Sequence, residues 1–128
     1  MNKKNLQIIS YFLAIIPIIT GLIGLLGIDD PLYKNLFQIK NNLLDSNLRF
    51  FSGVWLSLGI SFLSIIKNIE KNTPIFRLIW MAIFFGGIGR LISMFFYGFP
   101  PIPFVIFTFL EILGAPFFIY WQKKISEN

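Results

Sequence analysis

Four long blocks of apolar side chains, at about 6–28, 48–66, 75–97 and 104–121, divide the chain, and polar residues gather between them. Within each block the apolar positions are nearly continuous. They do not form the one-sided stripe of a surface helix. A helix rises about 1.5 Å per residue, so about 20 apolar residues cross a hydrocarbon layer. The pattern predicts an all-α chain, an integral membrane four-helix bundle forming one domain over residues 1–128.

The first block carries no charge. Lys3 and Lys4 precede it, as in a signal peptide, but its core is long and no A-x-A-like cleavage site follows, so it reads as a retained helix bending at Pro17. Arg49 stands at the entrance of the second block. Pro74 suits the first turn of the third. Pro116 predicts a bend near the end of the fourth. The connection at 67–74 is short and polar, and that at 98–103 is a stiff, uncharged turn containing Pro100, Pro101 and Pro103. Short connections make the joined helices antiparallel neighbours. The connection at 29–46 is longer. Its Leu32, Tyr33, Leu36, Phe37, Ile39, Leu43 and Leu44 recur at roughly helical spacing and predict a short amphipathic helix, lying at the interface or folded over the bundle mouth.

Composition supports the membrane reading. Only 13% of residues are charged, against about 25% in a soluble domain, and mean hydropathy is +0.73. The net charge of +5 comes from residues at block ends, which points to topology and not to nucleic acid. Lys3, Lys4, Lys67, Lys71, Arg77, Lys123 and Lys124 lie on one side. Lys34, Lys40 and Arg49 lie on the other, beside Asp29, Asp30 and Asp45. The excess places both termini in the cytoplasm. Trp121, Tyr120 and Tyr97, at block ends, fit interfacial belts. The chain has no Cys and no His. That excludes disulfides, thiol catalysis, His-ligated haem and the usual zinc or copper sites. No cofactor and no metal are expected.

Two charges interrupt the last two blocks. Arg90 lies within Gly86-Gly87-Ile88-Gly89-Arg90, and Glu111 within Phe109-Leu110-Glu111-Ile112. A charge at mid-helix costs about 2.5–3.5 kcal/mol to insert, so it calls for a partner or a task. Arg90 lies seven residues before Tyr97, and Glu111 seven after Phe104. Both therefore sit roughly 10 Å below the outer surface on antiparallel neighbours. A direct Arg90–Glu111 ion pair is therefore expected, and a bidentate contact would satisfy much of both groups. Arg49, Asn47, Ser93 and Tyr97 fall near the same level. Two arginines with one glutamate leave local positive charge, for Asp45 or an anionic ligand to compensate. The pair reads either as a structural clasp or as a clasp that also lines a ligand pocket.

Small residues recur as Gly21, Gly24 and Gly27, as Gly53, Ser57 and Ser61, and as Ala82 and Gly86. They let helices approach closely, within the bundle or in a homodimer.

Asn47-Leu48-Arg49-Phe50, then Gly53 and Gly59, then Gly86-Gly87-Ile88-Gly89-Arg90 with Ser93, then Gly98-Phe99-Pro100 and Glu111, resemble a widespread bacterial family of small membrane proteins catalogued as domain of unknown function 4345. The resemblance covers roughly 43–122. It implies a four-helix membrane bundle in the bacterial inner membrane, with no established activity. The general build is more distantly similar to DoxX-type membrane proteins.

Several functions remain open. The leading one is a membrane binding module: Arg49, Arg90 and Glu111, with Asn47, Ser93 and Tyr97, would hold a lipid-like or amphipathic anionic ligand in an outer-leaflet pocket. A structural or accessory subunit of a membrane complex is the alternative. An isomerase-type enzyme would need Glu111 as general acid or base, and its arginine partner opposes that, so a non-enzymatic role is preferred. A small exporter would be expected to carry its carboxylate in the first helix, which has none. The expected partners are membrane lipid, a lipid-like small molecule and a second copy of the chain.

Overall fold

A computed structural model describes residues 2–32 and 41–127. Four α-helices follow in order: α1 (Lys3–Gly24), α2 (Asn42–Ile65), α3 (Thr73–Tyr97) and α4 (Ile102–Ser126), with 3-10 turns at Gly27–Asp29 and Ile66–Asn68. No strand occurs among the described residues. All four helices are long and apolar enough to cross a membrane. Residues 33–40 of the expected amphipathic helix lie outside the described residues. Leu43 and Leu44, assigned to that helix, instead belong to the first turn of α2. This helix starts six residues before its apolar block because the Asn41 side chain accepts from the N–H groups of Leu43 (3.0 Å) and Leu44 (3.1 Å), an N-cap that polar residues can extend. Likewise α4 runs past Trp121 through Lys123 and Lys124, whose charge suits a helix C-terminus. Pro17 and Pro116 both lie inside continuous helices.

The chain forms two compact units, Ile8–Ile66 and Met1–Gln7 with Lys67–Asn128. In the first, α1 and α2 run antiparallel and meet at glycines. A Cβ on Gly21 would lie 2.8 Å from the backbone N of Leu56. A Cβ on Gly59 would lie 2.8 Å from an Ile18 side-chain carbon and 3.0 Å from the Pro17 ring. Trp55 donates from its indole N–H to Thr20 Oγ1 at 2.9 Å. The small residues thus serve packing within this pair.

In the second unit, α3 and α4 form an antiparallel hairpin. Pro74 lies in the first turn of α3, where its missing N–H costs nothing. Gly98 closes the helix at φ 86°, its N–H donating to the Met94 carbonyl at 2.9 Å. Trp80 stacks on Phe118 at 4.5 Å between centroids, and Phe118 stacks on Trp121. Trp121, expected in an interfacial belt, is thereby buried, whereas Tyr97 is 91% exposed. At the same end, buried Gln122 donates to the Ile69 carbonyl (3.0 Å) and to Thr73 Oγ1 (2.7 Å), pinning the end of α4 to the start of α3.

Candidate functional site

Arg90 and Glu111 meet across the α3–α4 hairpin, Nε to Oε2 at 3.1 Å. Two features of the helices bring them together. The antiparallel register set by the turn after Gly98 puts them at one level. Gly87, one turn before Arg90, removes the side chain that would hold α4 away: a Cβ there would come within 2.9 Å of Glu111 Cβ and of an Ile112 side-chain carbon. The Glu111 side chain is largely buried, at 13% exposure, and that of Arg90 is 41% exposed. The Arg90 guanidinium carbon lies 5.6 Å from the Phe104 ring centre, a cation–π distance. Contact with Glu111 runs through Nε. Among the described residues neither terminal guanidinium nitrogen makes a hydrogen bond.

Ser93 and Tyr97 follow Arg90 at three and seven residues, so the three share one face of α3. Both are exposed. The hairpin also holds an apolar groove of about 490 Å³, lined by Leu91, Met94, Phe95, Phe99, Phe109 and Leu113, among others. Thr108 also borders it, but its hydroxyl donates back to the Phe104 carbonyl at 2.9 Å.

Arg49 belongs to the other unit and is internally engaged. Its Nε donates to Asp45 Oδ2 at 2.8 Å, and its terminal nitrogens donate to the carbonyls of Leu25 (2.6 Å) and Leu26 (3.1 Å). Asp45 in turn accepts the Ile28 N–H at 3.1 Å. These carbonyls follow the end of α1, where helical partners run out. Asp45 thus supplies the compensating charge, and Arg49 serves as a cap. Asn47 is exposed on α2. No group of three metal-ligating side chains occurs among the described residues.

The family described as Domain of unknown function (DUF4345) matches residues 5–122. The chain belongs to this family. The DUF4345 match takes in most or all of each helix and every candidate residue from Asn47 to Glu111. No curated protein and no solved structure matches the chain.

Sequence reasoning named Asp45 as a counter-charge but missed its bond to the Ile28 N–H, and it missed the work of Thr20 and Gln122. A polar side chain inside or at the end of an otherwise apolar block was the available signal, and Thr20 and Gln122 both carry it.

Proposed function

We propose that this chain is a four-pass protein of the bacterial inner membrane, with both termini in the cytoplasm, that binds an anionic, lipid-like amphiphile on the Arg90 flank of the α3–α4 hairpin. The observation that carries this reading is the half-used guanidinium of Arg90. One edge faces Glu111, and two terminal nitrogens remain as donors on a face shared with Ser93 and Tyr97. Glu111 neutralises the arginine, so a head group with one negative charge, or a strongly polar carbonyl, matches the site better than a polyanion. The tail would lie along the exposed apolar side chains that surround this stripe. Glu111, held against a guanidinium, positions Arg90 and does no acid–base chemistry in this reading. Gly86 and Gly89, where an added Cβ would meet nothing within 4 Å, offer a small-residue surface to a second copy.

Thermal unfolding of the purified protein tests the proposal, with fatty acids, lysophospholipids, isoprenoid phosphates and quinones added one at a time. A ligand of the folded state raises the midpoint by mass action. The informative variant is Arg90→Lys, which keeps the charge beside Glu111 but removes the forked donors. It should unfold like the parent without ligand and lose the ligand's shift. If no amphiphile shifts the parent, or Arg90→Lys shifts equally, the pocket reading fails. The ion pair is then a clasp in a structural or accessory subunit, as the close approach at Gly87 also permits.

A further inference from the structure

The net charge of the chain is not spread over it. Lys3, Lys4, Lys67, Lys71, Arg77, Lys123 and Lys124 are joined at their end by only Glu70 and Glu127, which leaves +5, the whole net charge. Elsewhere the four basic residues Lys34, Lys40, Arg49 and Arg90 are equalled in number by the four acidic residues Asp29, Asp30, Asp45 and Glu111. All seven basic residues belong to one compact unit. Three ties hold their segments together. Lys3 Nζ meets Glu70 Oε2 at 2.9 Å, Gln7 donates to the Lys67 carbonyl at 3.0 Å, and buried Gln122 bonds Ile69 and Thr73. The two acids are already committed, Glu70 to Lys3 and Glu127 to Lys123 at 3.7 Å. Lys67, Lys71 and Arg77 are exposed, and none of their side chains takes part in these ties; Lys67 contributes only its main-chain carbonyl. Lys124 Nζ lies 4.9 Å from the Tyr120 ring centre, an amphipathic pairing suited to a membrane surface.

We infer that this basic end is a docking surface for the anionic head groups of the adjoining leaflet, built chiefly on Lys67, Lys71 and Arg77. The inference rests on the membrane-spanning part of the proposed function and not on the Arg90 site. Topology needs only a count of basic residues near helix ends. It does not require that they be tied into one scaffold with its acids neutralised from within. Diffuse attraction to an anionic surface adds roughly fivefold in affinity per basic side chain, and salt screens it.

The test is thermal unfolding of the full chain in neutral detergent, with phosphatidylglycerol or phosphatidylcholine added to the micelles. Phosphatidylglycerol should raise the midpoint, less so at high salt, and phosphatidylcholine should not. The combined variant Lys67→Gln, Lys71→Gln, Arg77→Gln should lose most of that shift. The charge-keeping variant Lys67→Arg, Lys71→Arg should retain it, even if the first unfolds earlier without lipid. Inorganic phosphate alone should do nothing. Equal shifts from both lipids, an equal shift from phosphate, or a full shift in the glutamine variant overturns the proposal. A shift kept by the glutamine variant but lost in Arg90→Lys moves the lipid to the α3–α4 site. Loss in the glutamine variant with retention in Arg90→Lys leaves the basic surface standing whatever becomes of that site.

Discussion

Arg49 and Arg90 have similar exposure, 47% and 41% at the side chain, but their surroundings give them different tasks. Arg49 spends its donors on Asp45 and on two carbonyls just beyond α1, so it holds a corner together. Arg49→Gln should lower the thermal unfolding midpoint, because the Leu25 and Leu26 carbonyls lose a donor. A silent variant would mean the corner holds without it. Arg90 and Glu111 depend on each other. Arg90→Met strands a largely buried carboxylate, and Glu111→Leu strands a guanidinium among apolar side chains. Each should cost roughly 3–5 kcal/mol, and the double variant should recover much of the loss. Folded yield and thermal midpoint in detergent report it, and simple additivity would show that the contact carries no energy of its own. The pair was legible in the sequence because both residues stand seven positions from block ends that share a short turn. The cap was not. Its acceptors are main-chain oxygens about two dozen residues away, which side-chain identity does not reveal.

At the scale of elements, helix existence could be read from apolar run length, whereas helix ends follow from local hydrogen bonds. The capping of α2 by Asn41 and the polar continuation of α4 both lie outside any hydrophobic pattern. Gly27 shows how narrowly the α1–α2 corner is built. It sits at φ 65°, and a Cβ there would collide with Asp45 Oδ1. Gly27→Ala should destabilise by at least about 1–2 kcal/mol, the cost of a left-handed conformation for an L-residue, and thermal unfolding measures it. The tie between Lys3 and Glu70 is sensitive to acid. The hydrogen bond from Lys3, aided by the Glu70 backbone N–H, holds the Glu70 carboxyl below the usual carboxylate range against partial burial. A lowered folded pKa gives stability that is present above the unfolded value and lost as pH falls through the folded one. The midpoint should therefore drop on acidification below the ordinary carboxylate range. Glu70→Gln should flatten that part of the profile, and an unchanged profile would show that the tie contributes nothing.

For the whole molecule, the one-ended charge predicts orientation. Reporter fusions at the C-terminus and within 67–74 should read cytoplasmic, and insertions in 98–103 should read external. An external C-terminus would reverse the orientation and with it the leaflet assigned to the basic end. The pairing of Arg90 with Glu111 also bears on biosynthesis. If the chain spans a membrane as proposed, α3 reaches it with its arginine before α4 has been made. Alone, it presents a bilayer with a charge that costs about 2.5–3.5 kcal/mol at mid-helix, and no carboxylate answers it. The turn at 98–103 is uncharged, so no basic or acidic side chain there answers the arginine while it waits. On the proposed membrane reading, the hairpin should enter lipid as one piece, with the carboxylate of its second arm completing the first. A chain halted just after the turn should linger at the insertion machinery or be degraded, whereas one extended past Glu111 should partition and persist.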